Sequence, residues 1–147
     1  MIPMFHEVPV ACINQAAEEY QVPAPLIMAI VLTENGKIGT ESRNENGTYD
    51  LGIMQINSSW ADTFEKQGYS LDDITYNSCK NIDMGTLILS NCLKKNPNIV
   101  EAIGDYHSHT PYYNLTYADK VMAKYNQINA ALKNYISPEC AKNGLIC

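Results

Sequence analysis

The stretch Leu26-Ile27-Met28-Ala29-Ile30-Val31-Leu32-Thr33-Glu34-Asn35-Gly36 decides how this chain is read. Ile27, Ile30, Val31 and Glu34 fall at i, i+3, i+4 and i+7, one face of a helix that begins at about Pro25. Asn35-Gly36 supplies the left-handed residues that end such a helix. A carboxyl group therefore extends an apolar face at its very end. Partial burial disfavours its charged form, and the partial negative charge of a helix C-terminus acts in the same direction. A glutamic acid that holds its proton near neutral pH is suited to general acid catalysis. On position alone, a surface glutamate at a frayed helix end is an equal alternative.

After seventeen intervening residues Glu34 is followed by Gly52-Ile53-Met54-Gln55-Ile56-Asn57. Polar side chains punctuate an apolar run, and Gly52 permits close backbone approach. The amides of Gln55 and Asn57 offer donors and acceptors that suit the N-acetyl and hydroxyl groups of a sugar. A structural turn with internally satisfied amides is the competing reading. Residues 37–51 between the two stretches are polar, and Asn46-Gly47 is a hairpin signal, so a small β-element or ordered loop is expected there.

Working outward, the pattern is mainly helical. Pro9 suits the first turn of a helix carrying Cys12, Ala16 and Tyr20, which breaks at Val22 to Pro25. Ser58 or Ser59 is expected to cap a short helix through about Gln67, and Ser70-Leu71-Asp72-Asp73 reads as a capping box for another. A longer helix follows from about Asn77 to Lys94, with Cys79, Ile82, Thr86, Leu89 and Leu93 inward. Pro97 precedes another, which runs through about Tyr106. After a loop over His107–Tyr113, the last helix spans about Leu115 to Tyr135, with Tyr117, Val121, Tyr125, Ile128 and Leu132 inward. Residues 137–147 form a tail. With no repeat or linker, 147 residues predict one α+β, mainly helical domain with its core at about 10–135.

The net charge of −6 argues against nucleic acid and anionic membrane surfaces as partners, and leaves polysaccharides open. No apolar run approaches the roughly 18 residues of a membrane span. Met1 to Pro9 lacks the features of a signal peptide, so the chain is either cytosolic or a mature exported form. Cys12, Cys79, Cys92, Cys140 and Cys147 show no zinc spacing. Disulfides in an oxidising compartment are the favoured reading, with Cys12–Cys79 tying the first helix to the later helical half and Cys140–Cys147 closing a C-terminal loop. Cys92 is left as a helix thiol. Five reduced core cysteines are the alternative.

Glu34 followed by Gly52–Asn57 resembles the lytic transglycosylases of the goose-type-lysozyme and soluble-transglycosylase group, in which the glutamate precedes a Gly-Leu-Met-Gln element at similar separation. Ala102-Ile103-Gly104-Asp105-Tyr106 is similar to the family's helix leading to a cleft tyrosine, and Tyr117-Ala118-Asp119-Lys120-Val121 to its final tyrosine-plus-valine element. The resemblance spans roughly residues 10–128. It is nearest in flavour to the small specialised enzymes that accompany conjugation, type III or IV secretion and type IV pili, which are also similar in the cysteine pair at Cys12 and Cys79.

The resemblance implies a lysozyme-like single domain, a periplasmic location, peptidoglycan glycan strands as substrate and a secretion, conjugation or pilus machine as partner, with no cofactor and no metal. It makes Glu34 the catalytic acid and base, with Asn35, Asp50, Met54, Gln55, Asn57, Tyr106, His107 and Tyr117 in contact with substrate. Two positions depart from the family pattern. Glu34-Asn35 stands where Glu-Ser is common, and Tyr106-His107-Ser108-His109-Thr110-Pro111 stands where many members have Tyr-Asn-Ala-Gly.

In the mechanism so implied, Glu34 protonates the oxygen of the β-1,4 bond between N-acetylmuramic acid and N-acetylglucosamine, and the N-acetyl carbonyl assists at C1. Glu34 then acts as base while the sugar's 6-hydroxyl closes a 1,6-anhydro ring. Thr48 to Ser58 is also similar to animal-type lysozymes, where Asp50 falls on the second carboxylate and water completes hydrolysis. A structural Asp50, ordering the Asn46-Gly47 turn, competes with that role. A catalytically silent glycan-binding or scaffold protein is the third reading.

Other features carry less. His107-x-His109 without a third ligand is a weak metal signal and reads as loop hydrogen bonding or cleft lining, with His6 far off in sequence. Asn114-Leu115-Thr116 fits a glycosylation sequon but reads as the N-cap of the last helix. Tyr112 and Tyr113 lie near the expected cleft, and Trp60 belongs to core or cleft rim.

Overall fold

The computed structural model describes residues 9–147. The leader reading of Met1 to Pro9 concerns chiefly residues 1–8, His6 among them, which lie outside the described residues. Helix α1 (Val10–Tyr20) and helix α2 (Ala24–Glu34) come first. Every residue of α2 from Ala24 to Val31 is buried, so it is a central helix packed on all sides rather than a surface helix with one apolar stripe. Strands β1 (Glu41–Arg43), β2 (Tyr49–Leu51) and β3 (Ile56–Asn57) follow, and form an antiparallel sheet in that order. Ser42 pairs with Asp50, and Asp50 with Asn57. This is the expected small β-element, and Asn46-Gly47 sits in its first turn, with Gly47 at φ +85°.

A 3-10 turn (Ser58–Trp60) leads to α3 (Ala61–Lys66), α4 (Leu71–Tyr76), α5 (Ser78–Lys95), α6 (Ile99–Asp105), α7 (Pro111–Leu132) and α8 (Pro138–Lys142). Helix α2 packs on α7 and α1, α1 on α5, and α6 on α7. The core is continuous, from Ile13 on α1 through α2 and Met54 to Ile82 and Leu89 on α5 and Val121 and Ile128 on α7. The predicted inner stripe of α5 holds at Ile82, Thr86 and Leu89, while Cys79 lies at the exposed edge of the helix. The α+β, mainly helical class is as expected.

Three local readings are corrected. Neither Ser58 nor Ser59 caps the helix after the sheet: the Asn57 side chain accepts from the Ser59 N–H, and the Ser58 hydroxyl accepts from the Tyr49 N–H. Helix α7 starts at Pro111, four residues before Leu115, because proline is preorganised for the first helical position. Asn114 is therefore not an N-cap. It lies inside α7, buried, and donates to the carbonyls of Glu101 and Ser108 and to Asp105. The C-terminal tail is ordered. It contains α8, and its end docks on α1 through paired hydrogen bonds between the Asn14 amide and the Ile146 backbone. The Ser70–Asp73 capping box forms as read.

Two disulfides are present, Cys12–Cys79 between α1 and α5 and Cys140–Cys147 around the tail, with Cα separations of 5.2 and 5.8 Å. Closing a loop 67 residues apart stabilises by about 4 kcal/mol in the chain-entropy model, and the short loop by about 2.5. Cys92 is a half-buried free thiol.

Candidate active site

Glu34 is the last residue of α2. Asn35 caps the helix at φ +52°, its N–H donating to the Val31 carbonyl at 3.1 Å. This fixes where the Glu34 side chain leaves the core. One oxygen, Oε2, accepts a hydrogen bond of 2.7 Å from the Tyr117 hydroxyl of α7. The carboxyl is half-buried, and its pKa is pushed up to about 7. Burial is the main cause, the Tyr117 hydrogen bond opposes it, and the negative charge of Asp50 adds to it.

The Gly52–Asn57 element is pressed against this helix end. A Cβ on Gly36 would run into the Gly52 carbonyl oxygen, so only glycine lets the two motifs meet. Gly52 itself has φ +67°, and a Cβ there would strike the Asn81 amide. Asn81, buried on α5, is the anchor of the element. Its amide nitrogen donates to the carbonyls of Leu51 and Ile74, both at 2.9 Å, and its oxygen accepts from the Met54 N–H at 3.0 Å. The Tyr106 hydroxyl donates to the Met54 carbonyl at 2.9 Å, and burial holds that phenol well above its ordinary pKa.

The nine residues singled out from sequence divide by environment. Glu34, Asp50, Gln55, Asn57, Tyr106 and His107 line one hollow of about 320 Å³, together with Asn44, Asn46, Ile56, Trp60 and Ile88. Glu34 and His107 also line a second hollow of about 230 Å³ with Tyr117 and other α7 residues. Met54 lies beneath the cleft instead of on its wall. Its side chain is 0% exposed, and it fills the space that Gly85 leaves on α5, so direct substrate contact by that side chain is corrected. Asn35 is exposed at the helix cap and lines neither hollow, because its side chain leaves from a left-handed residue beyond the last helical turn.

The polar wall is tied to itself. Asp50 Oδ1 accepts from the Asn44 and Asn57 amides at 3.2 and 3.1 Å, and both amides also reach the Thr48 hydroxyl. Gln55, at φ +51°, donates its amide nitrogen to the Gly52 carbonyl at 2.9 Å, and its side chain is thereby held against the hollow it lines. His107 stacks on Tyr117 with ring centres 4.7 Å apart and planes at 15°. Burial lowers the His107 pKa. His109 instead contacts Asp105 at 3.1 Å, so the two histidines do separate things. Among the described residues no group of three or more His, Cys, Asp or Glu side chains is placed to hold a metal ion.

Sequence reasoning missed Asn44, Asn46 and Asn81 as site-building residues. The first two carried a signal, since both belong to the polar turn. Asn81 carried none beyond being a polar residue between apolar helix positions. Trp60 resolves as cleft rim.

Residues 11–144 match the model of the transglycosylase SLT domain. The chain is 29% identical over 127 residues to Protein IpgF of Shigella flexneri, covering 83% of this chain and 84% of that one. It is 33% identical over 100 residues to Invasion protein IagB of Salmonella typhimurium, covering 67% and 62%. A peptidoglycan-binding-like protein of Escherichia coli O157:H7 is 30% identical over 131 residues, covering 81% and 78%. A half-buried acid on a helix end, a sheet pressed against it and a family match running from α1 to α8 agree with one another, and the chain belongs to the transglycosylase SLT domain family.

Proposed function

We propose that this protein is a peptidoglycan lytic transglycosylase, with Glu34 as its one catalytic acid and base. The observation that carries the reading is the Glu34 environment: a carboxyl lining an open cleft with its pKa near 7, donated to by Tyr117. Such a group is protonated often enough at neutral pH to give a proton to the glycosidic oxygen between N-acetylmuramic acid and N-acetylglucosamine, and basic enough afterwards to take one from the sugar's 6-hydroxyl. The substrate's N-acetyl carbonyl assists at C1, so no protein nucleophile is required. The C1–O bond to the leaving sugar breaks, the O6–C1 bond forms, and the proton that Glu34 gave is restored from the 6-hydroxyl. The product is a 1,6-anhydro sugar, with no water consumed.

Gln55, Asn57, Tyr106 and His107 shape the cleft around the reacting sugars, and Tyr117 orients Glu34. Asp50 acts through its charge on Glu34 and through the amides it gathers. The alternative in which Asp50 serves a hydrolase is supported by its presence in the same hollow. The two disulfides support export to an oxidising compartment such as the periplasm. The relative named as an invasion protein supports a setting in which the wall is opened locally for a secretion or similar apparatus.

The test is mass spectrometry of muropeptides released by the purified protein and by its Glu34→Gln variant. The wild type is expected to release 1,6-anhydro products and the variant none. Reducing-end products would transfer the reading to the Asp50 hydrolase. Glycan binding without any product would leave a silent binding module.

A further inference from the structure

The two hollows that meet at Glu34 and His107 differ in chemistry. The one on the sheet side is lined by neutral amides and by Asp50, with no lysine or arginine. The one on the α7 side is lined by Thr33, Tyr113, Thr116, Tyr117 and Lys120. Residues 113, 116, 117 and 120 fall at i, i+3, i+4 and i+7, so one face of α7 overhangs the acid. Among the described residues Lys120 is the one lysine or arginine lining either hollow. Among the described residues it has no salt-bridge partner, in a chain of net charge −6.

The hydroxyls around Lys120 are already oriented. Those of Thr33 and Thr116 each donate at 2.7 Å to a carbonyl one turn back, of Ala29 and Tyr112, so each presents an acceptor to the hollow. Tyr113 is 57% exposed, and its hydroxyl makes no hydrogen bond among the described residues. Beyond Glu34, whose raised pKa limits its negative charge near neutrality, and the His107 ring, the hollow thus offers one cation, one free phenol donor and two hydroxyl acceptors. That set complements a carboxylate attached near an amide N–H. A plain N-acetyl sugar, which carries no charge, would leave the Lys120 cation without a counter-charge.

We infer that the α7-side hollow holds the acidic arm of the glycan, the 3-O-lactyl group and the peptide it carries, with Lys120 as the residue that recognises its carboxylate. The inference rests on the peptidoglycan reading above and deepens it, since it sets the direction in which the strand lies: the acid-bearing sugar towards α7, the neutral sugar towards the sheet. Two carboxylates have the required chemistry, that of the lactyl group when no peptide is attached and that of the peptide when one is.

The experiment measures binding by calorimetry to the full chain carrying Glu34→Gln, which prevents turnover, with and without Lys120→Gln. Three ligands of equal length are used: a neutral N-acetylglucosamine oligomer, muramyl glycan stripped of peptide, and peptide-bearing muramyl glycan. Losing one charge-assisted hydrogen bond weakens binding by about tenfold. That loss is expected for one or both acidic ligands, to fade with added salt, and to be restored by Lys120→Arg, while the neutral oligomer binds unchanged. Loss on the stripped glycan assigns the lactyl carboxylate, and loss on the peptide-bearing glycan alone assigns the peptide. Equal change for all three ligands, or change for none, overturns the assignment of Lys120 but leaves the peptidoglycan reading standing if the wild type cleaves. If the Glu34→Gln chain binds none of the three and the wild type releases no product, the underlying reading falls and takes this inference with it.

Discussion

Replacing Glu34 with glutamine should stabilise the fold, and by an amount that depends on pH. The carboxyl has a pKa of about 7 in the folded chain against an ordinary value of 4.5. Between those values the unfolded chain releases the proton while the folded chain still holds it. The folded state binds more protons, so stability falls as pH rises through this window. Below pH 4.5 both states are protonated and there is no penalty. Above pH 7 the penalty is complete. A difference of about 2.5 units at about 1.4 kcal/mol each gives roughly 3 kcal/mol, and solvent in the open cleft reduces it to about 2–3. Glutamine is neutral at every pH, has nearly the same shape, and its oxygen still accepts from Tyr117. The variant should therefore match the wild type near pH 4 and exceed it by about 2–3 kcal/mol at pH 8. At about 3 °C per kcal/mol for a chain of this size, that is a gain in Tm of roughly 6–9 °C. Calorimetric melting of both proteins at pH 4, 6 and 8 measures it. A difference that is flat in pH, or that favours the wild type at pH 8, would refute the claim that the fold holds a buried, protonated acid at this position.

Three further perturbations test the surroundings of that acid. Tyr117→Phe removes the hydrogen bond that opposes the upward shift, so the Glu34 pKa should rise further and the alkaline limb of the pH–rate profile should move to higher pH. Asp50→Asn removes a negative charge but keeps an oxygen for the Asn44 and Asn57 amides; the Glu34 pKa should fall, the alkaline limb should move down, and the 1,6-anhydro product should persist, whereas abolished turnover would make Asp50 a direct participant. Asn81→Ala strips three hydrogen bonds from buried backbone groups and should cost about 3 kcal/mol or more in urea unfolding, with a larger loss of activity than of helical signal, because the Gly52–Asn57 element loses its anchor.

What could be read from the sequence was whatever has a local cause. The buried α2, the αL cap at Asn35, the capping box at Ser70 and the turn at Asn46-Gly47 each follow from residues within a few positions of one another. The start of α7 could be misread because Pro111 is both a helix starter and a loop residue, and the tyrosines beside it resemble neither a buried face nor a polar one. The roles of Asn81 and Asn114 were not legible. Each amide is satisfied by backbone groups from other segments, as with Asn81 and Leu51, 30 residues apart. The environment of Glu34 was only half legible. The helix end and the apolar face predicted an upward shift, but the opposing hydrogen bond comes from Tyr117, 83 residues away.

That distance bears on how one carboxyl is held near neutrality. Burial alone can drive an acid upward by several units, towards a group that holds its proton at neutral pH and serves poorly as a base. A hydrogen bond donated to the carboxylate pulls the other way, and here it is supplied by a phenol that burial keeps protonated well above its ordinary range. Tyr117 thus remains a donor throughout the range in which Glu34 titrates. Tyr117 is itself fixed by His107 stacked on its ring and by the burial of Ala118 and Val121 beside it on α7. The sheet acts in the opposite sense, since Asp50, gathered by two asparagine amides, adds negative charge. The pKa of this acid is therefore set first by burial and then adjusted in opposite directions by α7 and β2. A substitution on either element can move it up or down without touching Glu34, and under the proposed mechanism a value near neutrality is what would let the same carboxyl give a proton in the first half of the reaction and take one in the second.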